Sequence, residues 1–183
     1  MKKIPDLPTE ILQAASTNSL ILLVGAGISK LFGMPLWGEL ADSLLLECEN
    51  RGYITKSKAI IIRNSHYSSM QLVTIACSIL DSKQKRLGSD IICKFLSDEG
   101  RVDKDKVIKI ATILSKLNCT ILTTNADTFI DKSGLFNDST VYDNLPTDMN
   151  VDDIVGGQSI VHIHGSVNDP KNMIFTAPKY LEK

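Results

Sequence analysis

The sequence predicts an α/β fold, a mainly parallel sheet with a helical insertion between its first and second strands. Three observations lead there. Short apolar, β-prone runs at Ser19–Val24, Cys119–Thr123 and Ser159–Ile163 each end abruptly in small or polar residues. Between the first two, the stretch from about Lys56 to Leu117 carries helical spacing and no clear strand signal. Strand runs separated by helical stretches are the pattern of a parallel sheet, whose ligands bind beyond the carboxyl ends of the strands.

The elements follow in order. Ser19–Val24, stopped by Gly25-Ala26-Gly27, reads as a buried parallel strand entering a tight turn. From Pro35 to about Glu49 the residues Leu36, Leu40 and Leu44 fall at helical spacing, with Pro35 suited to a first turn. Val73, Ala76, Cys77 and Leu80 share one helical face. So do Leu87, Ile91 and Phe95, and then Val107, Ile110, Ala111, Leu114 and Leu117. Asp81–Gln84 and Ser97–Asp103 read as joints between them. After the second strand at Cys119–Thr123, Asn125-Ala126-Asp127 look like turn and cap residues before a helix start. Thr140–Tyr142 is a short third strand, and Asp143 to Gly157 an acidic surface loop. Ser159–Ile163 is a further strand, Met173–Thr176 one more, and Pro178 opens a helix. A single domain over residues 1–183 is expected, with 50–117 as a helical layer or insertion. It is either compact or the N-terminal part of a longer protein.

Composition narrows the partners. Of 183 residues, 43% are hydrophobic and 22% charged, as in a soluble globular chain. Twenty basic against 21 acidic side chains leave a formal charge of −1, so no whole-chain field draws in nucleic acid or an anionic membrane. The longest apolar stretch, Leu20–Val24 running into Gly25-Ala26-Gly27-Ile28, is too short to span a bilayer. Lys2 and Lys3 are followed by Pro5, Asp6, Pro8 and Glu10 where a signal peptide needs an apolar run, so a cytoplasmic location is expected by default. Cys48, Cys77, Cys93 and Cys119 are far apart with no C-x-x-C pair. Buried free thiols are expected, and no zinc.

Three clusters carry the candidate chemistry. In Gly25-Ala26-Gly27-Ile28-Ser29, glycines permit close backbone approach to a phosphate, although a plain tight turn fits the fragment equally well. Ser29 suits either a ligand bond or a helix cap. Asn125 and Asp127, in Thr123-Thr124-Asn125-Ala126-Asp127, suit an N-cap or an amide presented at the mouth of the crevice, holding a ribose hydroxyl or a water. In His162-Ile163-His164-Gly165-Ser166, the two histidines would share a strand face, and histidine is the usual general base. A metal pair is the least favoured reading, because no further ligand completes a site.

Taken in this order, the three clusters resemble the sirtuin family, in which a G-A-G-[IV]-S loop, a T-x-N-x-D turn and an H-G pair meet around NAD in a Rossmann-like fold. Gly33-Met34-Pro35-Leu36-Trp37 is similar to the G-x-P-x-W of divergent sirtuin-like domains in bacterial defence proteins. Phe175-Thr176-Ala177-Pro178-Lys179-Tyr180 is similar to their T-x-x-x-Y segment.

The resemblance implies that Gly25, Ala26, Gly27, Ile28 and Ser29 wrap the diphosphate and adjoining sugar. It puts Asn125 and Asp127 on the nicotinamide-ribose side, with Asn125 and His164 as the catalytic pair and His164 the base. Pro35, Trp37, Gly165 and Ser166 join the NAD-binding set, and His162 stays structural. Sirtuin deacylases usually carry glutamine where Thr124 stands, Asp-Phe-Arg where Leu36-Trp37-Gly38 stands, and a four-cysteine zinc module. Their absence points away from deacylation and toward the branch that resembles NAD glycohydrolases. The expectation is therefore an antiviral defence effector that consumes NAD as substrate. It would act as a homo-oligomer or fused to a sensing domain, without nucleic acid or membrane as partner. A non-catalytic NAD- or ADP-ribose-binding module is the alternative, and a protein deacylase a more distant third.

Overall fold

Four short strands lie side by side in the order β1-β2-β4-β3, all parallel. They are β1 (Ile21–Val24), β2 (Thr120–Thr123), β3 (Thr140–Tyr142) and β4 (Ser159–His162). The computed structural model describes residues 6–117, 119–145 and 159–181. Helices α1 (Thr9–Ser16), α2 (Ala26–Leu31), α3 (Trp37–Asn50), α4 (Lys56–Arg63), α5 (Ser69–Asp81), α6 (Leu87–Leu96), α7 (Lys104–Ser115) and α8 (Ala177–Leu181) complete the described elements, with 3₁₀ turns at Glu99–Arg101 and Asp131–Ser133. Six of these helices, α2 to α7, fall between β1 and β2. The α/β fold with its helical insertion is therefore as the sequence predicts.

Local chemistry explains where the helices begin. Ser68 and Gln71 cap α5 reciprocally, each side chain accepting the other's backbone N–H at 3.3 and 2.8 Å. Thr55 caps α4 and Asp103 caps α7 in the same one-sided way, at 3.3 and 3.1 Å. Pro35 lies just outside α3 rather than in its first turn, and Glu39 instead accepts the Leu36 N–H at 2.8 Å.

The core has two parts. Leu44 and Leu45 of α3, Val73 and Leu80 of α5 and Ile92 of α6 are essentially inaccessible and pack as a helical body of their own. The second part is the sheet face under α7, where Ala111 and Leu114 meet Val24, Ile121 and Ile160. Cys48, Cys77 and Cys119 are buried, Cys93 is half-buried, and all four are free thiols. Burial raises the Cys48 and Cys77 thiols to about 11 and about 12, so they serve as small apolar fillers.

Four further expectations need correction. β1 is an edge strand, so Val24 is buried while Ile21 and Leu23, on the face away from α7, are 44% and 67% exposed. Met173–Thr176 is not a strand; Ile174 donates to the His164 carbonyl at 2.8 Å, and the segment joins no ladder. No α-helix starts after Asp127: the chain runs irregularly to the 3₁₀ turn at Asp131–Ser133. β4 ends at His162, leaving Ile163 and His164 in a turn. Part of the acidic loop, 146–158, lies outside the described residues. Among those residues no helix is long and apolar enough to cross a membrane.

Candidate active site

Parallel register brings three strand tips to one level. Val24 lies opposite Thr123, and Thr123 opposite His162. The chain just beyond each tip is then stitched to its neighbour. Thr123 Oγ1 donates to the Val24 carbonyl and accepts the Asn125 N–H, both at 3.0 Å. Ile163 donates to the Thr123 carbonyl at 2.9 Å, and Val167 to the Ala126 carbonyl at 2.8 Å. Residues about a hundred positions apart thus share a rigid floor at the carboxyl end of the sheet, where ligands of such sheets bind.

On that floor one polar chain runs through three predicted residues. The Asn125 amide Nδ2 donates to the Gly25 carbonyl at 3.1 Å and to Ser29 Oγ at 2.8 Å. Ser29 in turn donates to Asp127 Oδ2 at 2.7 Å. Ser29 is buried inside α2 and is no cap, and neither Asn125 nor Asp127 caps a helix. Burial pushes the Asp127 carboxyl above its usual range, against the lowering effect of the Ser29 hydrogen bond. With its Nδ2 so engaged, Asn125 is oriented, and its Oδ1 is buried with no partner from the protein among the described residues. A buried carbonyl oxygen in that state calls for a donor such as a hydroxyl or a water.

Asn125, Ser29, Thr124 and Asp127 form the polar side of an open cleft, which Ala26 also lines. Its apolar side comprises Met34, Pro35, Trp37, Leu40, Ile174 and Phe175, with the Trp37 and Phe175 rings 5.3 Å apart. An apolar wall facing a few converged polar groups suits a flat, weakly polar ring attached to a sugar. Of the predicted set, Ala26, Ser29, Pro35, Trp37, Asn125 and Asp127 line this cleft.

The remaining predicted residues lie around it. Gly25 contributes its carbonyl, and a Cβ on Gly27 would meet nothing within 4 Å. Ile28 packs into the core. Gly165, at φ +81, makes a close approach where a Cβ would lie 2.7 Å from the Asn172 carbonyl oxygen and the Met173 Cα. Ser166 is fully buried and donates to Asp143. His164 is half-buried in the turn just past β4, its carbonyl held by Ile174; it is not among the residues lining the cleft.

Sequence reasoning left His162 structural and missed its partner beneath the cleft. His162, 1% exposed, bonds the Asn125 carbonyl through Nδ1 at 2.7 Å and Asp131 Oδ2 through Nε2 at 2.9 Å. Strand parity could place His162 on the Thr123 face, but Asp131 sits in a turn whose position nothing local encodes. Phe175 and Ile174 were hidden similarly, because an irregular segment carries them into the wall. Among the described residues no group of three or more His, Cys, Asp or Glu side chains converges as a metal site.

Residues 119–183 match the profile of the SIR2-like domain family. The match spans β2, Asn125, Asp127, His164-Gly165-Ser166 and the Phe175 segment, and it leaves Gly25–Ser29, at the start of α2, outside. No curated protein matches the chain.

Proposed function

We propose that this chain, which carries a sirtuin-like domain, is an NAD glycohydrolase that splits the nicotinamide–ribose bond to give nicotinamide and ADP-ribose. SIR2-like domains generally belong to NAD-dependent enzymes. The observation that carries the finer reading is Asn125: its Nδ2 is tied down by Gly25 and Ser29, and its buried Oδ1 still requires a donor.

In this reading the nicotinamide ring sits against the Trp37–Phe175 wall and the ribose against Asn125 and Asp127. The bond between nicotinamide and C1′ of the ribose breaks with its electron pair going to the already cationic ring nitrogen, through an oxocarbenium-like transition state of the glycosidase kind. Because nicotinamide leaves neutral, no general acid is needed. Asn125, which lines the cleft, orients the attacking water or a ribose hydroxyl. Asp127, held in place by Ser29, borders the position of the developing cation. The sequence resemblance assigns His164, in the turn just past β4, as the base that accepts the proton released as the water oxygen bonds to C1′, a contribution of roughly a hundred- to ten-thousand-fold for a positioned base. Use of this activity to deplete NAD in antiviral defence is part of the same proposal and rests on the sequence resemblance.

Incubating the protein with NAD tests the reading directly. Stoichiometric nicotinamide and ADP-ribose are expected, with turnover lost in His164→Ala although the variant melts like the wild type. Protection against heating by NAD without nicotinamide release would instead identify a binding module, and wild-type turnover by His164→Ala would remove the base assignment.

A further inference from the structure

His162 and Asp131 form a buried pair beside Asn125, and neither lines the cleft. The hydrogen-bond chemistry of this pair is unusually restrictive. Nδ1 meets a backbone carbonyl and Nε2 meets a carboxylate, and both partners only accept. Against an ionised Asp131 both ring nitrogens donate, which a neutral imidazole cannot do. We propose that His162 is a positioning residue: an imidazolium, anchored by Asp131, that grips the Asn125 carbonyl and so sets the angle at which the Asn125 amide faces the cleft. This rests on the NAD-cleaving reading of the same site.

Asn125 lies two residues past β2, in the run Thr124–Asp127 that lines the cleft, a segment that belongs to no helix or strand. Its main chain is held by two contacts, Thr123 Oγ1 at the N–H and His162 at the carbonyl. Rotating that carbonyl would swing the side chain away from Gly25 and Ser29. The charge fits the surroundings, since the carboxyls acting on the ring are Asp131 on its turn, Asp143 after β3 and Asp127 after β2. Burial alone would lower the ring's pKa. Asp131 and the Asn125 carbonyl outweigh it and raise the value above 6.5. The sign of the pH effect follows. A raised folded-state value means the clamp is fully present below about 6.5 and is released as the pH rises through the folded-state value.

Two substitutions separate the ends of the ring. In His162→Asn the amide nitrogen overlies Nδ1 and can still donate to Asn125. In His162→Gln it reaches toward Nε2 and serves Asp131 instead. With NAD as substrate, His162→Asn is expected to keep kcat within about threefold. His162→Gln should lose ~10- to 100-fold in kcat, with a smaller change in KM, as a misplaced reacting group does. Asp131→Asn should move the alkaline fall of kcat to lower pH. It also serves if either histidine variant fails to fold.

Nitrogen-15 spectra of the wild-type ring should show both nitrogens protonated at neutral pH, and the Asn125 amide signals should shift in His162→Gln but not in His162→Asn. A neutral ring at neutral pH, or equal kcat values in the two folded variants, would overturn the clamp. Absence of nicotinamide release by the wild type would refute the NAD-cleaving reading alone, and the spectra would still decide the state of His162.

Discussion

At the scale of single residues, the site depends on where hydrogen-bond capacity is spent. Asn125 gives its donors to Gly25 and Ser29, and its buried Oδ1 has no protein partner among the described residues. Gly27 illustrates a different use of a residue. It lies inside α2 with open space where a Cβ would project, so the protein itself gives no steric reason for glycine. Alanine there is expected to raise stability by about 0.5–1 kcal/mol, the usual helix gain, while KM for NAD increases because the methyl group occupies room at the proposed diphosphate. Thermal melting and initial rates check both halves, and an unchanged KM would remove Gly27 from the binding set. Gly165 is the reverse case. Its positive φ and its contact with Asn172 and Met173 make any side chain a backbone problem before it is a ligand problem.

At the scale of elements, α3 serves two tasks along one helix. Trp37 at its start forms the cleft wall, and Leu44, two turns on, is fully buried against α5 and α6. Leu44→Ala should therefore cost about 2–5 kcal/mol of stability with KM for NAD unchanged. Trp37→Ala should raise KM with a smaller loss of stability. Denaturation curves paired with kinetics distinguish them, and a Trp37→Ala variant with wild-type KM would exclude the wall as the nicotinamide site.

The same contrast shows what was legible in the sequence. The buried faces of α5 and α7 could be read directly, since Val73, Ala76, Cys77 and Leu80, then Val107, Ala111 and Leu114, recur at the helical period and are buried. Runs ending in glycine, asparagine and histidine located the tips of β1, β2 and β4. Local rules failed where side chains reach across the fold. Local rules left Asn125 and Asp127 open between a helix cap and the mouth of the crevice, because their partners lie nearly a hundred residues away on α2 and its entry. The His162–Asp131 pair was likewise invisible, because periodicity reports which face a residue takes and not what it meets there.

For the whole molecule, the parallel order β1-β2-β4-β3 is what matters. It sets β2 between β1 and β4, so the glycine loop, the Asn125 turn and the His162 strand end meet at one edge. The helices α3 to α6 form a body with its own core beside that edge and lend it Trp37, Leu40 and Leu96 as walls. The central claim is that this convergence makes an oriented amide into the working part of an NAD-cleaving site. The most direct measurement is nicotinamide release from NAD by Asn125→Ala beside the wild type, on samples shown to melt alike. The account predicts a loss of roughly 100-fold or more in kcat, the scale of removing one preorganised polar group from a transition state. Equal release by the two proteins would contradict it.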